Sequence, residues 1–183
     1  MEFNKILHKT LKWEGGYVND ESDRGGATKY GITIKTLQAL NEDINEDGRV
    51  DIEDIHDLTI DQASDIYHNV YYLKPKFQLL PDELQSVVFD MGVNHGPSRS
   101  VRILQRVINV CGFYNIEVDG GIGPITVKAT ENTNNEMGHY FINAICDERQ
   151  NFYNEIVRRN PSQEKFIRGW TNRNNDFRVH VRG

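Results

Sequence analysis

The feature that most constrains this chain is a short amphipathic segment that ends in a glutamate and two glycines. Between residues 3 and 13, apolar side chains recur at the three- and four-residue spacing of one helix face: Phe3, Ile6, Leu7 and Leu11. Glu14 takes the next position of that face, where an apolar residue is expected. Gly15 and Gly16 then end the helix, because glycine adopts the left-handed conformation without a Cβ clash. The sequence therefore predicts a half-buried carboxyl at the C-terminal end of a helix.

Two aromatic neighbours, Trp13 and Tyr17, flank this glutamate. Desolvation favours the protonated form of a carboxyl, and a protonated carboxyl is what a general acid needs. The alternative is an exposed glutamate that simply ends a helix. The following segment favours catalysis, since it supplies carboxylates, a hydroxyl and glycines that let the backbone fold closely around a ligand: Asp20, Asp23, Gly25, Gly26, Thr28 and Gly31.

Composition excludes several classes of function. The 183 residues suit one domain, or one domain with a small appendage, and the net charge of −6 argues against nucleic acid as a partner. The chain has no CxxC, HExxH or GxSxG pattern, so we expect two free thiols and no catalytic zinc. Neither a membrane span nor a signal peptide is recognisable, so we expect cytoplasmic synthesis and a non-standard export route.

Residues 43–54 match the pattern of a calcium loop. Oxygen ligands fall at the first, third, fifth, seventh, ninth and twelfth positions, with Gly48 at the sharp turn: Asp43, Asn45, Asp47, Arg49 through its carbonyl, Asp51 and Asp54. The twelfth residue is Asp instead of Glu and the loop is single, which argues against a calcium sensor. The alternative is a solvated acidic turn. We expect a structural calcium ion that holds an insertion together.

The rest of the chain is typical of a mainly α fold with one small β element at residues 30–34. Helix starts are indicated at Thr33, at the capping box 59–62, and at Pro81 and Pro124. The helix after Pro81 should bury a stripe of Leu84, Val87, Val88 and Met91, with Asp90 and Asn94 off that stripe. Asn94 either caps this helix or lines a cleft. A later long helix should bury Tyr140, Phe141, Ala144, Ile145, Phe152 and Ile156.

Four ordered motifs resemble glycoside hydrolase family 108, which comprises N-acetylmuramidases of the phage-endolysin type, also called secretion activator proteins. Residues 13–17 (WEGGY) with 23–32 resemble the start of the family, and residues 89–97 (FDMGVNHGP) resemble its FDxxVNxGP segment. Residues 104–105 with 118–126 are similar to its peptidoglycan-binding half, and residues 169–173 to its GWxxR tail. The resemblance covers nearly the whole chain.

This resemblance implies a lysozyme-like α+β fold, with a compact helical body and a small β element at the cleft. It implies a catalytic part at residues 1–97, which carries the calcium-loop insertion, and a peptidoglycan-binding-like helical part at residues 98–183. It also implies cleavage of the glycan strand of peptidoglycan at N-acetylmuramic acid.

The resemblance further implies that Glu14 is the general acid, which protonates the leaving oxygen. Asp23, helped by Thr28, would position or activate water; Asp20 is an alternative to Asp23. By the Glu, Asp and Thr spacing of phage-type lysozymes, Asp23 lies at the expected aspartate position and Thr28 lies one residue short of the expected threonine. Substrate contacts are expected from Asp20, Gly25, Gly26, Tyr30 and Asn94.

Three other functions compete with this hypothesis. A non-catalytic wall-binding module would keep the glycan groove without hydrolysis. A lytic transglycosylase would also use one acidic glutamate but would release an anhydro sugar. A peptidase pairing Cys111 with His95 or His139 has no support in the surrounding residues. Under the favoured hypothesis the partner is peptidoglycan, reached by holin-like or other non-standard export, and catalysis needs no cofactor.

Calcium should raise the midpoint of thermal unfolding, because an ion that binds only the folded loop stabilises the folded state by mass action. We expect Tm to fall in EGTA and to recover in excess calcium. Asp43→Ala should abolish this response, whereas Asp61→Ala, a change outside the loop, should retain it. An unchanged Tm in chelator, together with no calcium by elemental analysis, would contradict the prediction.

Overall fold

The computed structural model describes residues 2–14 and 28–180. It is mainly helical with one two-stranded antiparallel sheet, which confirms the predicted fold class. Its backbone forms two compact units, residues 2–70 and residues from Tyr71 onward. The domain division at residues 97 and 98 that the motifs predict stays a prediction.

The first unit holds four of the described helices and the hairpin. Its elements are α1 (Phe3–Glu14), β1 (Thr28–Lys29), β2 (Ile32–Thr33), α2 (Ile34–Leu40), α3 (Ile52–Asp57) and α4 (Ile60–Ile66). The Thr33 hydroxyl accepts the Thr36 N–H at 3.2 Å, and Thr59 forms the predicted capping box with Gln62. Apolar side chains from every helix of the unit and from β2 build its core: Ile6, Leu7, Ile32, Leu37, Ile55, Leu58, Ala63 and Ile66.

A π-helical segment, Tyr67–Leu73, leads into the second unit. That unit contains short 3₁₀ turns at Phe77–Leu79 and Pro161–Gln163, and five helices: α5 (Asp82–His95), α6 (Pro97–Cys111), α7 (Pro124–Met137), α8 (His139–Arg159) and α9 (Glu164–Asn175). The predicted stripe of α5 is buried, and α5 packs closely on α6. Tyr140 was expected inside but is 58% exposed, because the buried face of α8 begins at Phe141.

A buried ion cluster ties α5 to α8 and α9. The Asp90 carboxylate is fully buried and accepts hydrogen bonds from Arg149 Nη2 at 2.6 Å and from Arg173 Nη2 at 2.8 Å. Arg149 Nε donates to the Tyr153 hydroxyl at 2.7 Å. Asp90 lies off the predicted stripe and is nevertheless buried, because α5 is enclosed on more than that one face. The cluster joins the FDxxVNxGP segment to the GWxxR tail, so both motifs contribute a structural contact.

Hydrogen bonds from Gln105 connect the two motifs at residues 104–105 and 118–126. The Gln105 amide is buried, donating to the Asp119 carboxylate at 2.7 Å and accepting the Gly120 N–H at 2.8 Å. Gly120 has φ +81, and a Cβ there would meet Ser98 and Arg102. The glycine loop is thus held against α6 by one side chain, as a structural connection into α7.

Both cysteines lie in the described residues and are free thiols, Cys146 buried and Cys111 partly exposed. Burial raises the pKa of the Cys111 thiol. Over residues 2–14 and 28–180, every helix is too short or too polar to cross a bilayer.

Asp90→Asn should lower the free energy of unfolding by about 3–5 kcal/mol, because it leaves two buried arginines without their carboxylate. Urea unfolding monitored by circular dichroism measures the change. Arg158→Gln, which breaks an exposed ion pair with Glu155, is the matched control and should leave stability nearly unchanged. Equal stability of the Asp90 variant and the wild type would show that the cluster contributes nothing.

Candidate active site

Glu14 sits at the last position of α1 and is half-buried. Leu7 and Thr10 precede it at seven- and four-residue spacing, and both are buried. Glu14 therefore continues the inward face of the helix, as its sequence position predicts. The face runs through Thr10 and not through Leu11, which is partly exposed.

The β-hairpin is closed by the two-residue turn Tyr30-Gly31. Thr28 pairs with Thr33 and Lys29 with Ile32. Both turn residues have positive φ, 53° at Tyr30 and 78° at Gly31, as in the type I′ turns that match the twist of paired strands. Glycine adopts this conformation without steric cost.

The turn is fixed directly against Glu14. A Cβ at Gly31 would lie 3.2 Å from both Cβ and Cγ of Glu14, and closer still to the Tyr67 hydroxyl. That hydroxyl donates to the Tyr30 carbonyl oxygen at 3.0 Å. The hairpin thus limits the positions open to the Glu14 side chain, and the absence of a side chain at residue 31 is what allows the approach.

The hairpin is also anchored at its first strand. Lys29 Nζ donates to the His56 carbonyl of α3 at 2.5 Å and lies 5.6 Å from the centre of the Tyr30 ring. Thr28 and Tyr30 are both half-buried on this hairpin. The structure therefore brings the turn that carries Tyr30 to the general-acid candidate. Asp20, Asp23, Gly25 and Gly26 lie outside the described residues, so their roles stay predictions.

Asn94 lies in the last turn of α5, half-buried, and Gly96 occupies the position that ends the helix. Asn94 is therefore not the capping residue; its contact with substrate stays a prediction. Its neighbour His95 has its Nε2 3.2 Å from the Tyr153 hydroxyl. Burial, then the charges of Arg149, Arg173 and Arg99, lower the pKa of His95 to about 3, so the imidazole is neutral at pH 7.

The carboxylates of the predicted calcium loop accept hydrogen bonds from backbone N–H groups of the same loop. Asp43 accepts the Gly48 N–H at 2.8 Å and Asp47 accepts the Arg49 N–H at 2.9 Å. Asp54 is buried and accepts the N–H groups of Ile44 and Asp51, each at 2.7 Å. Burial acts to raise the pKa of Asp54, but the backbone hydrogen bonds outweigh it and the pKa lies below its usual value.

This arrangement leaves the calcium hypothesis without geometric support. Within residues 2–14 and 28–180, no group of three or more His, Cys, Asp or Glu side chains converges on a possible ion position. Asp54 in particular directs its carboxylate oxygens at backbone donors. Calcium binding therefore stays a prediction.

Comparison with known proteins identifies two families along the chain. The sequence model described as "Glycosyl hydrolase 108" matches residues 7–96, and the one described as "Predicted Peptidoglycan domain" matches residues 99–175. Among solved structures, that of Brucella abortus SagA is similar with a TM-score of 0.75 and 31% identity over 96% of this chain and 90% of the other. A search of curated proteins found no match.

The fold and the family matches together define a lysozyme-like glycoside hydrolase with a peptidoglycan-binding-like region. The chain belongs to glycosyl hydrolase family 108, which confirms the resemblance inferred from the motifs. Peptidoglycan is accordingly its substrate.

Replacement of Gly31 by alanine tests the contact between the turn and Glu14. Gly112 has φ +79 and open space around it, so Gly112→Ala matches the backbone strain of Gly31→Ala without the crowding. We expect Gly112→Ala to cost about 1 kcal/mol and Gly31→Ala about 1–3 kcal/mol more, because the hairpin must move away from the Tyr67 hydroxyl and from Glu14. Urea unfolding measures both changes, and equal costs would mean that the turn does not pack against the glutamate.

Proposed function

We propose that this glycoside hydrolase is an N-acetylmuramidase that cleaves the glycan strand of peptidoglycan at N-acetylmuramic acid. The observation that carries the proposal is the position of Glu14, half-buried at the end of α1 and packed against the Gly31 turn. A carboxyl restrained in this way holds its proton-donating oxygen in one region, which general acid catalysis requires.

The proposed reaction is a single hydrolytic displacement. Glu14 gives its proton to the glycosidic oxygen as the bond to the sugar breaks. Asp23, assisted by Thr28, takes a proton from the water that attacks the opposite face of the sugar. Tyr30, Asn94, Asp20, Gly25 and Gly26 are the proposed substrate contacts. Carboxyl groups about 6.5–9.5 Å apart would give inversion, and a spacing of about 5 Å would give retention.

The proposal also covers the localisation, the cofactors and the partners of the protein. It is made in the cytoplasm and reaches the wall by a holin-like or other non-standard route. Catalysis uses no cofactor, and a calcium ion at residues 43–54 would act only on stability. Its partners are peptidoglycan glycan strands, with no nucleic acid.

Glu14→Gln should lower the rate of peptidoglycan clearing by about 100-fold or more, because the amide cannot donate the catalytic proton. Turbidity loss of purified sacculi measures the rate, and pull-down on the same sacculi should be unaffected. Glu136→Gln, an exposed glutamate on α7, is the matched control. If wild type binds sacculi and never clears them, the protein is a binding module.

The same digest separates hydrolysis from transglycosylation. Mass spectrometry of the released muropeptides should find reducing N-acetylmuramic acid ends, since water is added across the bond. Products lighter by one water would assign the chain to the lytic transglycosylases.

A further inference from the structure

A basic groove lies between α6 and α8, within the second unit. It has a volume of about 560 Å³, and three arginines and two glutamates contribute to its lining: Arg99, Arg106, Arg159, Glu148 and Glu155. The ring of Phe152 lies among them. A groove with an excess of arginine stands out in a chain whose net charge is −6.

Arg99 is the least neutralised of these arginines. Its guanidinium lies 5.2 Å from the centre of the Phe152 ring, which orients the planar group. Within residues 2–14 and 28–180, no carboxylate oxygen comes within 4.0 Å of it. Its donors are therefore available to an incoming anion.

The other arginines extend the same surface. Arg102 and Arg106 follow Arg99 at three- and seven-residue spacing, which places all three along one side of α6. A second, adjoining depression shares Arg99 and is lined by His95, Gly96 and Pro97 at the end of the FDxxVNxGP segment. The neutral His95 adds no charge there. The groove thus runs from this motif along α6.

The negative charges of the two glutamates in the groove do not fully neutralise the positive charges of its arginines. Glu155 receives hydrogen bonds from Arg158 at 2.7 Å and from Arg159 at 2.6 Å, so two cations share one carboxylate. These bonds lower the pKa of Glu155 to about 2. Glu148 lies 3.7 Å from Arg106. The groove therefore offers arginine donors beside the carboxyl groups of Glu148 and Glu155.

We propose that this groove binds the peptide branches of peptidoglycan through their free carboxylates, an inference that rests on the proposed function. Peptide branches leave the glycan at N-acetylmuramic acid and carry both carboxylates and amines. Arg99 and Arg106 match the carboxylates, because planar guanidinium groups bind them with two parallel hydrogen bonds. The Glu148 carboxylate can bind an amine of the same peptide branch.

A polymer with phosphate groups alone fits this surface less well. Its phosphates would be repelled by Glu148 and Glu155, and it has no cationic group that could pair with these glutamates. The same mixed lining accounts for how a negatively charged protein approaches a negatively charged wall: local complementarity, and not net charge, sets the contact.

The test compares peptide-bearing glycan with glycan from which an amidase has removed the peptides. Binding of the full chain, in a Glu14→Gln background that leaves the polymer intact, is measured by retention on beads to which either glycan is covalently attached, because glycan without its peptide cross-links no longer sediments. Arg99→Gln with Arg106→Gln should weaken binding to peptide-bearing glycan about tenfold, since two exposed ion pairs are lost, and should leave binding to stripped glycan unchanged. Lys74→Gln with Lys128→Gln removes the same charge elsewhere in the unit and should change neither.

Three results would overturn the proposal: equal binding of wild type to both glycans, an equal loss in the lysine control, or tighter binding to teichoic acid or to anionic lipid vesicles than to teichoic-acid-free peptidoglycan. Restoration of binding by Arg99→Lys with Arg106→Lys, in part and only on peptide-bearing glycan, would support it. Reducing-end release by protein with Glu14 intact is measured separately. Its absence on both glycans would refute the proposed hydrolysis while leaving the binding preference standing.

Discussion

The second unit depends on a single carboxylate. Asp90 is fully enclosed and has two guanidinium groups for partners, Arg149 from α8 and Arg173 from α9. A buried charge is tolerated only when its partners are close and well directed, because its desolvation cost is large. Helices α5, α8 and α9 must therefore pack in the arrangement that keeps Asp90 paired with both arginines, because any other arrangement would leave a buried charge unpaired. Helix α8, which this cluster holds, also packs on α6, and the two helices together line the arginine groove.

The first unit positions Glu14, the carboxyl proposed as the general acid, by different means. Glu14 is held by backbone geometry: a helix that ends at that residue and a turn whose conformation requires positive φ. Tyr67 adds one hydrogen bond to the turn. The close approach of this turn limits the positions open to the Glu14 side chain.

Sequence patterns correctly predicted the helix boundaries that depend on interactions between residues close together in the chain. The cap at Thr33, the capping box at Thr59 and the start of α7 at Pro124 all follow from sequence spacing. Tertiary contacts were not predictable in this way. The burial of Asp90 was not predicted, because its pairing with Arg173 joins residues that lie 83 positions apart in the chain. The approach of Gly31 to Glu14 likewise depends on how the hairpin packs on α1, and the role of Asp23 lies beyond the described residues.

The separation between Asp90 and its partners also governs the order of events during synthesis. Arg149 follows Asp90 by 59 residues and Arg173 by 83. Until the later arginine leaves the ribosome, the α5 carboxylate has an incomplete set of partners, and closing such a long loop is slow compared with forming a helix. The second unit therefore completes its folding after translation has passed residue 173, and a nascent chain stalled before that point would hold the Asp90 carboxylate with one of its two guanidinium partners missing.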